Sequence, residues 1–355
     1  MGADGRVLQV VSSTKRRGAE VHAVDLDRAL TALGREVRTV ALTAAEGKTI
    51  DVPALGTRSL ALGTIAELRR RMRDVDHVIS HGSRSLPACA AAQLFSRRRF
   101  VFRSIGDAVF YARTRARRTR VSLYLRKAEA VVALWPESAD ALTQRYGVPP
   151  GRITIIPTGV PADRFPPVDA KRRADARTAL GWEADARVVL YLGWLDPEKG
   201  AHVAIRAIAD LPDATLAIAG SGPERAGLER LASDLAPTRV RFIGPVDNAS
   251  LVMSASDAFV LPSSVEGLPA VLIEAGLTGL PVVATDVGAV REVIRHEETG
   301  IVVPPENPTA MAAGLRVALQ DGGELAARLQ QHCVEHFEIG VVARAWDALL
   351  ADLEH

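Results

Sequence analysis

The sequence predicts an α/β protein built from two doubly wound, parallel-sheet domains, and three observations carry that expectation. The chain has 355 residues, 48% of them hydrophobic, which is enough to bury two ordinary domain cores. Short apolar runs rich in Val, Ile and Ala alternate with longer segments of helical periodicity, and they do so in two series. A stretch of prolines and charges, "PADRFPPVDAKRRADARTALGWEADA" at 161–186, separates the two series and marks the junction. The expected domains are therefore 1–165 and 166–335, with 336–355 as a C-terminal helix that packs back on the first domain.

Each element follows from its own pattern. "RVLQVVSS" is a buried strand. Val21, Val24, Leu26, Leu30 and Leu33 then recur close to helical spacing before Gly34 ends the helix. The unit repeats as strand "REVRTVAL", helix "IAELRRRMRDV", strand "HVIS", helix "LPACAAAQLF", strand "RFVFRS", strand "AVVALW", helix "SADALTQRYG" and strand "ITIIPTG". Runs this short and apolar lack a polar face, so they predict a parallel sheet covered on both sides. The second series has strands "RVVLYLGWL", "ATLAIAG", "VRFIG", "AFVLPS", "PVVAT" and "GIVVP", with helical segments between them. In such sheets ligands sit at the carboxyl ends of the strands, and two facing sheets place those ends around one cleft.

Composition narrows the function classes. No apolar run approaches the ~20 residues a membrane span needs, and the N-terminus lacks a signal peptide's apolar stretch, so a cytoplasmic location is expected. Cys89 and Cys333 are isolated, which argues against a disulfide framework or a zinc site and for two buried thiols. Residues 1–160 hold 27 basic and 14 acidic side chains, against 17 and 28 beyond. A basic half meets an anionic partner or docks on the acidic half.

The stretch "EGLPAVLIE", 266–274, sets two carboxylates around a helix start. Pro269 suits the first helical position, and the free amides near Ala270 and Val271 form a site for a phosphate or diphosphate. A carboxylate beside that anion repels it, so Glu266 and Glu274 reach to either side, where a nucleotide sugar offers hydroxyls from its sugar and its ribose.

Together with "GWLDPEKG" at 193–200, "IPTGV" at 156–160 followed by Phe165, and the Gly-Ala-Glu at 18–20, this E-x7-E spacing resembles the retaining glycosyltransferases of family 4, which have the GT-B fold of two Rossmann-like domains. The resemblance covers nearly the whole chain in order. It implies that Glu266 holds sugar hydroxyls, Glu274 the ribose and Lys199 the diphosphate. Gly267, Leu268, Ala270 and Val271 would complete the loop and helix start of the donor site, and Gly18 would bring amides near the phosphate or acceptor. Gly220, Gly222, Ile243 and Gly244 would line the nucleotide pocket. Lys199 and the helix amides supply the charge stabilisation that a leaving diphosphate needs, so neither a metal nor any other cofactor is expected. The implied reaction is transfer from a nucleotide-diphosphate sugar, UDP being the family's commonest donor, to an acceptor hydroxyl with retention. The donor domain is the second, and the first selects the acceptor.

Two departures stand out. Trp194 occupies the place of an Arg that members usually pair with the Lys on the diphosphate; Arg16, Arg17 and Arg103 are candidate replacements, or Trp194 is cleft wall with the cation not replaced. Where many members carry a His-Asp or His-Gly pair, this chain has Gly106 and Asp107. Asp107 either contacts donor or acceptor or caps the next helix, and His81 either faces the cleft or satisfies local backbone groups. Acceptor contacts are thus sought at His81, Arg103 and Asp107. The departures motivate a second reading, a non-catalytic GT-B protein that binds a nucleotide or sugar as a partner or scaffold.

Other motifs carry less. "DLD" at 25–27 lies in an amphipathic helix, where i and i+2 diverge, and "DVD" at 74–76 precedes a strand, so neither is read as a metal site. "GSGPERAG" has Arg225 where a dinucleotide fingerprint needs glycine, and neither G-x-S-x-G nor a P-loop occurs. The basic run from Arg113 to Lys127, with Arg115, Arg117, Arg118, Arg120 and Arg126, is either solvated surface or a peripheral contact with an anionic membrane or acidic acceptor. No nucleic-acid motif accompanies it, and no nucleic-acid partner is expected.

Overall fold

The structure is a computed structural model that describes residues 5–94, 99–106 and 114–354. Two compact units emerge, Met1–Pro161 with Phe337–His355, and Ala162–His336.

The first unit is a parallel sheet of seven strands in the order β3-β2-β1-β4-β5-β6-β7. These are β1 (Arg6–Ser13), β2 (Glu36–Thr43), β3 (Ala54–Gly56), β4 (His77–His81), β5 (Val101–Arg103), β6 (Ala130–Ala133) and β7 (Ile153–Ile155). The helices are α1 (Gly18–Ala32), α2 (Leu62–Arg73), α3 (Leu86–Gln93), α4 (Arg115–Leu125) and α5 (Pro136–Tyr146). The apolar residues of strand β1 serve both of its faces. Leu8 and Val10 join one core with Leu68, Met72, Leu86 and Leu125, while Val7 joins another on the opposite face with Leu26, Leu30 and Trp346. With both faces covered, the mid-strand polar residue Gln9 is fully buried and bonds internally, its amide nitrogen donating to the Ala23 carbonyl at 2.9 Å.

The second unit has six parallel strands in the order β10-β9-β8-β11-β12-β13. They are β8 (Arg187–Leu192), β9 (Ala214–Ala219), β10 (Val240–Gly244), β11 (Ala258–Leu261), β12 (Val282–Thr285) and β13 (Ile301–Val303). Its helices are α6 (Ala170–Leu180), α7 (Ala201–Ala209), α8 (Arg225–Leu235), α9 (Ala249–Ala255), α10 (Ala270–Thr278), α11 (Val290–Val293), α12 (Pro308–Asp321) and α13 (Gly323–His336). Helix α6 lies inside the stretch that the sequence reads only as a junction. Asp169 caps it by accepting from the Arg172 amide at 2.7 Å, Gly181 ends it in the left-handed conformation, and Arg177 ties it to Asp257 and the Ala255 carbonyl.

The chain ends in α14 (Ile339–Asp352), which belongs to the first unit. Val342, Ala343, Trp346 and Leu350 enter the core beside Leu26 and Ile79. Buried Arg35 receives the helix through Asp347 and Glu354, and Glu354 also meets His77 Nε2 at 3.0 Å.

Strand order reverses between β1 and β4 in the first sheet and between β8 and β11 in the second. At such a reversal the loops leaving the strand ends diverge and open a crevice, the usual place for a ligand in an α/β sheet. The loops at the second reversal are 193–200 after β8 and 262–269 after β11.

Candidate functional site

The loop after β8 is encoded locally. Asp196 accepts from the Lys199 amide at 3.0 Å, Pro197 occupies the first position of the short helical turn Pro197–Lys199, and Gly200 ends it at φ 66°. Gly200 also allows close approach: a Cβ there would lie 2.0 Å from the Pro262 carbonyl oxygen of the neighbouring loop. The Ser264 amide donates to the Glu198 carbonyl at 2.8 Å and completes the junction. Packed this way, the loops bring Lys199 Nζ to 2.7 Å from Glu266 Oε1.

Glu266 is held from two further directions. Ser263 Oγ donates to the same Oε1 at 2.7 Å, and Thr285 at the end of β12 fixes Ser263 by donating to its carbonyl. Gly288, at φ 53°, lets a third loop approach: a Cβ there would sit 2.1 Å from the Glu266 carbonyl oxygen, and the adjacent Ala289 amide donates to the Gly267 carbonyl at 3.0 Å. The Glu266 side chain is 9% exposed and that of Lys199 33%, so the ammonium is the part of the pair open to a ligand. Ser263, Thr285 and Gly288 were not evident from the sequence.

Helix α10 begins at Ala270, one residue later than expected. Pro269 precedes it with ψ 104°, outside the helical range, and no side chain caps the end. The Leu272 amide already bonds the Pro269 carbonyl at 3.0 Å, which leaves the amides of Ala270 and Val271 at the open end beside the Glu266 loop. Glu274 lies in the second turn of the same helix and is half-buried, whereas Leu268 is buried in the unit's interior.

Trp194 is 55% exposed, and its backbone carbonyl accepts from Tyr191 Oη at 2.9 Å. Burial, with smaller contributions from the charges of Asp196 and Glu266, pushes the Tyr191 phenol well above its ordinary value, so it stays a neutral donor. Gly220 and Gly222 pack against the loop that carries Trp194. A Cβ at either would lie 1.8 Å from the Gly193 carbonyl oxygen or 2.1 Å from that of Leu195. Close packing of protein backbone thus accounts for both glycines. Ile243 and Gly244 end the adjacent strand, and the Gly244 carbonyl accepts from the Gly220 amide at 2.8 Å.

In the first unit, Gly18 opens α1, again without a side-chain cap, and a Cβ there would meet nothing within 4 Å. Arg16 and Arg17 are exposed in the loop before it. His81 and Arg103, at the ends of β4 and β5, are instead 3% and 1% exposed. His81 Nε2 donates to Gln9 Oε1 at 2.8 Å, an assignment fixed because the Gln9 amide nitrogen already donates to the Ala23 carbonyl. Arg103 Nη2 donates to Thr158 Oγ1 at 2.9 Å. His22 joins them, 6.5 Å from His81 between ring centroids, and donates from Nδ1 to the Gly159 carbonyl. Burial first and the Arg103 charge second hold both imidazoles well below their ordinary pKa. Asp107 and Arg113 lie outside the described residues.

Among the described residues no group of three or more His, Cys, Asp or Glu is arranged to hold a metal ion, and no helix is long and apolar enough to cross a membrane. Cys89 and Cys333 are buried free thiols, each pushed up to about 12 by burial.

Two family profiles match the chain in tandem: Glycosyltransferase Family 4 over residues 16–164 and Glycosyl transferases group 1 over residues 172–334. A D-inositol 3-phosphate glycosyltransferase of Rhodococcus jostii is 35% identical over 215 residues, which is 57% of this chain and 47% of that protein. The chain spans about half the length of the curated relatives it matches. Among solved structures, Anabaena HepE in complex with UDP and glucose aligns at TM-score 0.86 and 22% identity, covering 98% of this chain and 100% of that one. A glycosyltransferase from Rickettsia africae aligns at TM-score 0.84 and 17% identity, covering 99% and 98%. These likenesses establish the fold as GT-B, and with both halves matched in order the chain belongs to the family 4 glycosyltransferases.

Proposed function

We propose that the protein is a retaining glycosyltransferase that moves a sugar from a UDP-sugar to an acceptor hydroxyl without a metal ion. The observation that carries this reading is the Lys199–Glu266 pair at 2.7 Å, set beside the uncapped start of α10. An ammonium has three donors, so Lys199 keeps its bond to Glu266 while offering another to a diphosphate oxygen. The α10 amides add donors and a positive dipole end on the same side. Charge that grows on the departing diphosphate is therefore met by groups already in place, which is how a leaving group is stabilised without a metal.

In the proposed step the acceptor oxygen bonds to the anomeric carbon as its bond to the diphosphate oxygen breaks. Both events occur on one face, and the acceptor proton passes to the departing diphosphate. Glu266 positions sugar hydroxyls, and its fixing by Lys199 and Ser263 suits an acceptor of hydrogen bonds better than a free nucleophile. Glu274, further along α10, takes the ribose hydroxyls. UDP is favoured as the donor nucleotide because HepE, of the same fold, is known with UDP and with UDP-glucose.

The test uses UDP-, GDP- and ADP-sugars in turnover and thermal-shift assays. Wild type is expected to hydrolyse or transfer from a UDP-sugar in the presence of chelator. Glu266→Ala and Lys199→Ala should each lose about 100-fold or more in kcat, and Glu274→Ala should lose nucleotide-induced stabilisation. If no nucleotide stabilises the wild type and no sugar is transferred, the exposed Trp194 marks a non-catalytic binding protein instead.

The proposal includes a peripheral membrane contact through α4. Arg115, Arg117, Arg120 and Leu123 lie exposed on this helix, with Leu123 52% exposed, and exposed Arg126 and Lys127 follow. Basic residues beside an exposed leucine suit an anionic lipid surface, at about 1 kcal/mol per basic residue near it. Co-sedimentation with anionic but not neutral vesicles is expected; equal partitioning to both removes this part.

A further inference from the structure

Strand β3 covers only the far end of β2, pairing Ala54 with Ala41 and Gly56 with Thr43. Among the described residues no strand pairs with the outer side of β2 before Ala41, which leaves an open sheet edge. Because the Ala41 amide donates outward to the Pro53 carbonyl, and alternate residues of a parallel strand point to the same side, the amides of Val37 and Thr39 also face this edge. Beside it lies a cavity of about 700 Å³ bounded by α1, β2, the segment 49–53 and Arg71 from α2. Its rim is stitched in place, since the Arg16 amide donates to the Lys48 carbonyl and the Ile50 amide to the Thr14 carbonyl.

Among the described residues four guanidinium groups line this cavity: Arg16, Arg28, Arg38 and Arg71. Arg38 pairs with Glu36, and Arg71 donates to Glu67 at 2.8 Å. Among the described residues Arg16 and Arg28 have no side-chain hydrogen bond or ion pair. Two carboxylates face the same space. Asp51 is exposed, and Asp27 accepts from Thr39 Oγ1 at 2.6 Å. Val37, Val40 and Ile50 give the wall an apolar part.

These groups make complementary demands on a ligand. Guanidiniums only donate and cannot be discharged, so they call for anionic oxygens. Asp51 accepts and calls for hydroxyls, and the aliphatic wall calls for a C–H face. A volume of this size fits a small molecule or short oligomer. Among the described residues no aromatic ring lines the cavity, which leaves nucleic-acid bases without a stacking platform. Two outward amides on β2 are too few for a peptide to add as a strand. We propose that this cavity binds an anionic saccharide, a sugar or short oligosaccharide carrying phosphate or carboxylate groups, at a site made wholly by the first unit. The site stands independently of the donor reading, because none of its residues belongs to the second unit.

Calorimetric titration of the full chain with glucose 6-phosphate, a galacturonate trisaccharide, neutral maltotriose and inorganic phosphate tests it. At least one charged sugar should bind, in a salt-dependent way, and maltotriose should not. The double variant Arg28→Gln/Arg38→Gln, both exposed positions, should weaken binding by about tenfold or more while leaving thermal unfolding unchanged. Asp51→Asn should weaken the charged sugar but not inorganic phosphate. The phosphate and carboxylate arms say which anion the site prefers. Failure of both charged sugars to bind overturns the proposal, as does binding that the double variant leaves intact. Inorganic phosphate binding as tightly as either sugar would reduce the site to a simple oxyanion pocket and overturn the saccharide assignment.

Discussion

Gly200 and Gly288 show how much of the geometry of the proposed donor site rests on missing side chains. Each occupies positive φ and lets one loop touch the backbone of another, so each sets where Lys199 and Glu266 meet. A methyl group at either must force the loops apart and also bears the left-handed strain, about 1–3 kcal/mol. Gly200→Ala and Gly288→Ala are accordingly expected to lower stability by that amount in denaturant unfolding. Both should lower kcat as well, by displacing the ion pair, even though neither contributes a functional group. Loss of stability with unchanged turnover would show that the pair tolerates loop movement. The sequence points to Lys199 and Glu266 because their motifs fix chemistry by residue type, and the structure places the two side chains 2.7 Å apart. It does not point to Ser263, Thr285 and Gly288, because their roles arise only when β11 and β12 pair, Leu261 beside Ala284, and bring separate loops together. Gly220 and Gly222 mark the converse case: the sequence suggests a nucleotide turn, and the structure shows backbone packing that demands glycine in any event.

Among the elements, the long buried strands and amphipathic helices could be read from the sequence, while β3 and α6 could not. Three residues on a sheet edge leave little pattern, and α6 is polar nearly all round, with only Ala176 and Arg177 buried. Its capping residues Asp169 and Gly181 were the available signal, masked by the neighbouring prolines. Helix α14 is the element whose removal should cost most. Trp346 is fully buried beside Val7 and Ile79, in strands at the centre of the first sheet. Trp346→Ala should destabilise the protein by about 3–5 kcal/mol, as a large aromatic leaving a cavity does. Because truncation after Phe337 removes Val342, Ala343 and Leu350 as well as Trp346 from the core and takes both carboxylates from Arg35, it should do more harm than Trp346→Ala. Unfolding temperatures of the two variants in parallel check the order; a truncated chain as stable as wild type would mean that the first unit closes its core without the helix.

Over the whole molecule, charge is divided unevenly, and the basic half also buries its basic groups. His22, His81, Arg35 and Arg103 are all at most 3% exposed in the first unit. The two imidazoles are neutral when folded, held below their ordinary pKa by burial and the Arg103 charge, and His22 Nε2 and His81 Nδ1 have no hydrogen-bond partner among the described residues. In the unfolded chain both take up protons near pH 6.5. Above that value folding involves no proton change at either histidine. As pH falls below it the unfolded state binds protons that the folded state refuses, so stability drops by up to about 1.4 kcal/mol per pH unit for each histidine until the folded pKa is reached. His332 in the second unit adds a change of the same sign, being only partly buried, and Asp27 opposes it with a raised pKa from a lower starting range. As pH falls below about 6.5, therefore, the protein should lose stability steeply, before most carboxylates titrate. His22→Gln/His81→Gln should flatten that loss, since neither replacement titrates and the side-chain amide introduced at position 81 can still donate to Gln9. Thermal unfolding of wild type and variant at matched pH values decides the matter: equal slopes would mean that the two imidazoles keep their ordinary pKa on folding, against the effect of burial and of the Arg103 charge.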